Sequence, residues 1–169
     1  MLVIEIPASI PVMIQTLNDD AQKIQKILGQ IAMGVPGIQY CVLMDRTGTL
    51  VSSFQRFSKT VVDLDSAGAI MGAVFQAAEE EGSALVFGSL EIQINEFKGG
   101  FRFGVACEDV GVLSVITEKD VQIGLVRASM KKNAPVLAKL MKKLLGGAAT
   151  GSAMEDLRDL FSSEKSGFM

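Results

Sequence analysis

The chain has 169 residues, 49% of them hydrophobic, and a net charge of −3 with both signs interspersed. That length and apolar content suit one compact domain with a real core, and the charge balance gives no support to nucleic-acid binding. A mean hydropathy of +0.35 points to surplus apolar surface of the kind that an oligomer buries.

Residues 2–6, "LVIEI", read as a short strand or an ordered arm. Ser9 then caps a helix, with Pro11 tolerated in its first turn. Leu17, Ala21, Ile24, Leu28 and Ile31 recur at three- and four-residue steps and predict one buried stripe. Gly34, Pro36 and Gly37 end the helix. "IQYCVLM" (38–44) is a strand, apolar on both faces and therefore covered on both. Asp45 and Gly48 suit the first and last positions of a tight turn, after which "TLVSSF" returns.

The loop 55–64 leads into a helix over 65–82, capped by Asp65 or Asp63. Leu90, Ile92 and Ile94 alternate with polar residues in a strand over 90–97. "FRFGVAC" and "GVLSVIT" are two more strands, joined by a turn at Glu108-Asp109. A last helix runs from about Leu125 to Leu145, with Pro135 either kinking it or restarting it behind an Asn133 cap. "GGAATGS" (146–152) has linker composition, and Met154, Leu157, Leu160 and Phe161 make 154–161 amphipathic. That segment is compatible with docking in a groove, with disorder or with folding back.

The order helix-strand-strand-helix-strand-strand-strand-helix predicts an α+β fold. It is a three-layer α/β/α sandwich on a five-stranded antiparallel sheet, profilin-like in arrangement. The domain spans 1–145 with an arm at 1–11, followed by a tail at 146–169.

The helix "DSAGAIMGAVFQAAEEEG" carries only Ser66 and Gln76 as polar residues between positions 66 and 78. On a helical wheel Ile70, Met71, Val74 and Phe75 share one arc, which is expected to face the sheet. Gly68, Ala69, Gly72, Ala73 and Gln76 then form a smooth opposite side. A solvent face made of alanine is one reading. Two glycines, each costing about 0.8–1 kcal/mol in a helix interior, favour a close helix–helix contact instead. On that reading Gly72→Leu breaks a dimer and leaves the protomer folded. Glu79, Glu80 and Glu81 crowd a helix C-terminus, where the macrodipole disfavours them.

Histidine is absent, so neither a Ser–His–Asp nor a Cys–His arrangement exists. There is no GxxxxGK[ST] phosphate loop and no GxGxxG after a strand. Cys41 and Cys107 are far apart and read as reduced core residues, and with no histidine they cannot complete a structural zinc site. No apolar run reaches 18 residues, so no stable membrane insertion is expected. The lysines of the last helix, from Arg127 to Lys143, read as a solvated face because no aromatics interleave them. The expectation is a cytoplasmic protein, not an enzyme, with no cofactor, no metal site and no catalytic residue of its own.

Two stretches carry a family resemblance. They are "GIQYCVLMDRTGTLVSS" (37–53), a strand, Asp-x-x-Gly turn and second strand, and "DVQIGLVR" (120–127), the step into the last helix. With the apolar helix and the three-strand meander between them, residues 12–145 resemble the Roadblock family, named for a dynein light chain. The arm, Pro135 and the tail lie outside the family's pattern.

The resemblance implies a homodimer, or a heterodimer with a paralogue, made by pairing second helices and third strands. Carried onto this chain, that interface is Gly68, Ala69, Gly72, Ala73 and Gln76 with Leu90, Ile92 and Ile94. Family members are scaffolds and regulators of Ras-like small GTPases, including prokaryotic GTPase-activating proteins of gliding motility. The resemblance implies engagement of a Ras-like small GTPase on the paired helices. The residues there are Asp65, Gln76, Glu79 and Glu80, with Arg56 the one candidate for an arginine finger. The expected function is non-enzymatic control of GTPase activation or nucleotide exchange through the switch regions. The alternatives are a pure dimeric scaffold or adaptor and a small-ligand sensor, the latter disfavoured by strands with no convergent polar set.

Overall fold

A computed structural model of the chain describes residues 9–56 and 62–149. The predicted strand at 2–6 and the amphipathic segment at 154–161 lie outside them. Three helices and five strands follow in the order α1 (Ser9–Gly34), β1 (Ile38–Asp45), β2 (Leu50–Gln55), α2 (Leu64–Ala84), β3 (Gln93–Phe97), β4 (Gly100–Cys107), β5 (Gly111–Thr117) and α3 (Ile123–Ala149). All strand pairs are antiparallel, in the spatial order β2-β1-β5-β4-β3. The fold is therefore the expected α+β sandwich, and β2 and β3 are its edges.

The two faces of the sheet bury different sets. Cys41, Leu43, Phe103, Val105, Leu113 and Val115 point toward α1 and α3, where Ile24, Leu28 and Ile31 meet Val126, Met130, Leu137 and Met141. Tyr40, Val42, Met44 and Val112 point the other way, toward Met71 and Phe75 of α2. The unbroken apolar run of β1 is thus two period-2 patterns superimposed, one for each layer. A register shift between Ile38 and Tyr40 puts Ile38 out of step with Tyr40, Val42 and Met44, so Ile38 joins the α1/α3 side while Tyr40 stays on the α2 side. Each fully buried leucine, such as Leu28 or Leu137, contributes about 1.5–3 kcal/mol to holding the layers together.

Several local expectations are corrected. Ala21 faces solvent, and Asp20 takes the buried place one residue earlier, paired with Lys23 at 3.2 Å. α3 neither stops nor restarts at Pro135, which lies on its exposed side. Asn133 is no cap: its Nδ2 donates to the Ser129 carbonyl at 2.8 Å, one turn back within the helix. The third strand begins at Gln93, not at residue 90. Leu90 packs on the α2 side and Ile92 on the α1/α3 side, because the chain before Gln93 is not yet pleated. Cys41 and Cys107 are buried, unpaired thiols whose pKa is pushed up to about 12 by burial, so they are inert core residues.

Candidate interaction surface

The surface of interest is built by α2 and its supports. Asp63 caps the helix, its carboxylate accepting from the Ser66 amide at 3.3 Å and the Ser66 hydroxyl at 2.6 Å. Of the two predicted caps, Asp63 holds the role and Asp65 sits in the first turn.

The rotation of α2 differs from the one read off the wheel. Gly68, Met71, Gly72 and Phe75 are the buried positions, while Ile70 is 66% exposed and Val74 40%. The buried arc is turned by about 80° from the predicted one at 100° per residue. The two glycines press onto the β1–β2 turn. A Cβ on Gly72 would lie 2.7 Å from the Gly48 Cα, and one on Gly68 would lie 2.9 Å from the Gly48 carbonyl oxygen. Gly48 itself has φ +88° and would place a Cβ 2.8 Å from the Gly68 carbonyl oxygen. Three glycines therefore let backbone meet backbone inside one chain. Gly68 and Gly72 are thus buried within the protomer, where a smooth outward side of α2 is the expectation from the helical wheel.

The turn that receives them is held by Asp45. Its Oδ1 accepts from the amides of Thr47 at 2.8 Å and Thr49 at 2.9 Å and from the Thr47 hydroxyl at 2.6 Å. Partial burial works to raise the Asp45 pKa, but these hydrogen bonds outweigh it and hold the carboxyl below its ordinary 3.8. A depressed folded-state pKa means that the stabilisation is complete above the unfolded value and disappears as pH falls through the folded one. Asp45→Ala should thus cost about 1–2 kcal/mol at neutral pH. Urea unfolding should find that gap shrinking below about pH 4. A gap that stays constant into strong acid would refute the assignment.

Beside the turn runs an open groove of about 780 Å³ lined by Arg46, Thr47, Gln76, Glu79, Glu80 and Ser83. Arg46 donates from Nη2 to Glu79 at 2.6 Å, and its guanidinium lies 6.0 Å from the centre of the Phe75 ring. Its Nη1 is buried with no hydrogen-bond partner among the described residues. Arg46 is a residue that the sequence reading missed. The only available signal was its place as the second residue of the Asp-x-x-Gly turn.

On the other flank of α2 a second arginine ties the helix to the sheet edge. Arg102 of β4, 7% exposed, donates from Nη1 to the Met71 carbonyl at 3.3 Å, from Nη2 to Asn95 Oδ1 at 2.8 Å and also to Gln93 Oε1. Gln93 in turn donates to the Val74 carbonyl at 3.2 Å. All of Arg102's acceptors are neutral, and burial lowers its pKa from the ordinary arginine value. β3 lies beyond it as an edge strand, with Phe97 60% exposed on the same face as α2 and Ile94 39% exposed on the other.

Of the residues singled out from sequence, Ala69, Ala73 and Gln76 are exposed on α2, and Leu90 and Ile92 are half-buried against the protomer's own clusters. Gln76, Glu79 and Glu80 come together in one groove. Asp65 is about 16–22 Å away from them along the helix at 1.5 Å per residue. Arg56 follows β2, at the opposite end of that strand from the 45–48 turn, so it does not join them. The far end of α2 closes with the Val86 amide on the Ser83 carbonyl and the Phe87 amide on the Gly82 carbonyl. There Val86 has φ +58°, and Leu85, Val86 and Phe87 are 52%, 89% and 81% exposed. On α3, Lys131 pairs with Glu91 and Lys142 with Glu108 and Asp109. Among the described residues no helix is long and apolar enough to cross a membrane.

No protein-family model matches the chain. Two proteins of Methanocaldococcus jannaschii, the uncharacterized proteins MJ0310 and MJ1340, are each 32% identical to it over 98 residues, 58% of this chain and 82% of theirs. Among solved structures, an MglB with a tetrameric arrangement superimposes with a TM-score of 0.69 at 13% identity, covering 74% of this chain and 92% of that one. Myxococcus xanthus MglB gives 0.64 at 21% identity, covering 72% and 97%. A Roadblock/LC7 domain from Streptomyces avermitilis gives 0.60 at 15% identity, covering 72% and 96%. At such identities the likeness is one of fold.

Proposed function

The chain belongs to the family of the two Methanocaldococcus jannaschii proteins and carries the Roadblock fold, and from that premise we propose that it is a non-enzymatic dimeric regulator of a Ras-like small GTPase. The observation that carries this reading is an uncovered apolar face beside an open sheet edge. Ile70 and Val74 stand out of α2 among Ala69, Ala73 and Ala77, and β3 lies on the near flank with its outer backbone unpaired among the described residues. Exposed large apolar side chains clustered beside an unpaired strand are what a second copy covers. In the proposed dimer two α2 helices pack through Ile70, Val74 and the alanines between them. The two β3 strands then extend the sheet across the dyad.

The groove holding Gln76, Glu79 and Glu80 would contact the GTPase, with Arg46 in place of the more distant Arg56 as its one cation. A carboxylate or phosphate oxygen from the GTPase would meet the accessible part of the Arg46 side chain, which is 37% exposed.

Static light scattering tests the dimer. Ile70→Glu and Val74→Glu each put a charge on the face and are expected to weaken self-association tenfold or more, with unchanged circular dichroism. A dimer indifferent to both changes would remove this face from consideration. The regulatory claim is tested by adding the protein to a Ras-like GTPase from the same genome. Single-turnover GTP hydrolysis or nucleotide release should change rate. Binding with unaltered rates would make the protein a scaffold instead.

A further inference from the structure

Charge is sorted between the two sides of the sheet. α2 holds Asp65, Glu79, Glu80 and Glu81 and no lysine or arginine. α3, on the opposite side, holds Arg127, Lys131, Lys132, Lys139, Lys142 and Lys143 and no aspartate or glutamate. Lys131 and Lys142 have carboxylate partners at the flanks of the helix, whereas Lys132, Lys139 and Lys143 make no ion pair among the described residues.

Those three lysines share a line with Leu125, Ala128 and Val136. At 100° per residue the six positions fall within an arc of about 80°. All six are exposed, on the side of α3 away from the buried Val126, Met130, Leu137 and Met141. Leu125 is 47% exposed and Val136 46%. Met33, on the outward side of the last turn of α1, is 62% exposed. An open groove of about 570 Å³ between the two helices runs past Leu125, Ala128 and Lys132.

Unpaired ammonium groups interleaved with aliphatic side chains on one line fit a surface that offers anionic groups and hydrocarbon at nearly the same depth. The interface of an anionic lipid leaflet is such a surface. A nucleic acid offers the charge without the hydrocarbon, and its recognition uses stacked aromatics or arginine forks, of which the line has neither. The acids of α2 lie across the sheet, beyond the reach of unscreened repulsion from the leaflet.

We propose that the outward side of α3 docks on an anionic lipid leaflet, with Lys132, Lys139 and Lys143 among the headgroups and Leu125 and Val136 at the acyl boundary. The contact is peripheral and reversible. Each lysine at such a surface raises partitioning about fivefold, and salt screens most of that gain. α2 and its groove then face away from the lipid. The contact does not require the proposed dimer. Two copies joined through α2 and β3 would present both α3 faces on the same side and bind more tightly.

The test is co-sedimentation of the full chain with lipid vesicles. The protein should sediment with mixed phosphatidylcholine and phosphatidylserine vesicles, and not with phosphatidylcholine alone or in molar sodium chloride. The Lys132→Gln, Lys139→Gln, Lys143→Gln triple variant should lower partitioning about a hundredfold. Leu125→Ala with Val136→Ala should lower it severalfold. Lys98→Gln, in the exposed β3–β4 turn, is the control and should leave it unchanged. Ile70→Glu should weaken and not abolish it, which keeps this contact distinct from the dimer. Partitioning that ignores the triple change, or that needs no anionic lipid, would overturn the proposal. So would duplex DNA bound as tightly as the vesicles at the same ionic strength, since the face would then read a polyanion alone. Salt-sensitive oligomers larger than a dimer in the absence of vesicles would also overturn it, by assigning the lysines to the acidic α2 of a neighbouring copy.

Discussion

Gly72→Ala is expected to destabilise the folded protomer, not merely its association. The new Cβ would lie 2.7 Å from the Gly48 Cα and 3.0 Å from its amide nitrogen. Both are backbone atoms that cannot swing aside. Forcing a methyl group into such a contact costs about 3 kcal/mol, and the gain in helix propensity from losing a mid-helix glycine returns about 1 kcal/mol. The net expectation is a loss of about 2 kcal/mol in urea unfolding, independent of protein concentration. Gly72→Leu should be more severe and displace α2 from the turn, contrary to the expectation from sequence of a folded monomer. Gly124→Ala is the control. It opens α3 with nothing within 4 Å of an added Cβ and should be neutral or gain up to about 1 kcal/mol. Equal effects at the two sites would mean that the α2–turn contact is not as close as described.

Arg102→Ala should cost more, about 3–4 kcal/mol. One guanidinium there satisfies the Met71 carbonyl and the side chains of Gln93 and Asn95. Hydrogen bonds from a charged donor are worth about 1.5–3 kcal/mol each, and they do not add fully because they share one side chain. Their loss also leaves the buried Met71 carbonyl and two half-buried amide side chains without their donor. The damage should be directional: β3 and the adjoining turn of α2 should exchange their amide hydrogens faster than β1 and β5. Arg102→Lys keeps the charge but not the planar fork, and should lose about half as much. A variant within 1 kcal/mol of the parent, or one with uniform exchange, would show that Arg102 does not brace the edge.

How much of this was legible in the sequence depends on whether polar residues were present to fix a direction. β4 and β5, with turns at both ends, could be read almost to the residue, and so could α1, where lysines and glutamines mark the wet side. α2 defeated the same reasoning because its first four turns are apolar or small all round. With only Ser66 and Gln76 to orient it, a wheel built on bulk put Ile70 and Val74 inward. What decides the rotation is the bare backbone of Gly48, a contact across 20 and 24 positions of sequence that side-chain pattern does not encode. The interaction surface was readable in part. Gln76, Glu79 and Glu80 are one helical turn apart and had to cluster. Arg46 and Arg102 sit in a turn and a strand, and their partners are carbonyls, amides and a single carboxylate brought in by tertiary structure. A buried arginine with only neutral acceptors leaves no matched acid for a sequence search to find.

Val86 bears on what has shaped the end of α2. A β-branched residue held at φ +58° gives up about 1–2 kcal/mol that glycine would recover. Nearly all of the valine side chain faces water, so no packing repays that loss within the protomer. Left to thermodynamic drift alone, the position would relax toward glycine or asparagine, and a library screened only for heat resistance should enrich such replacements. A screen that scores the protein's task instead has reason to keep valine.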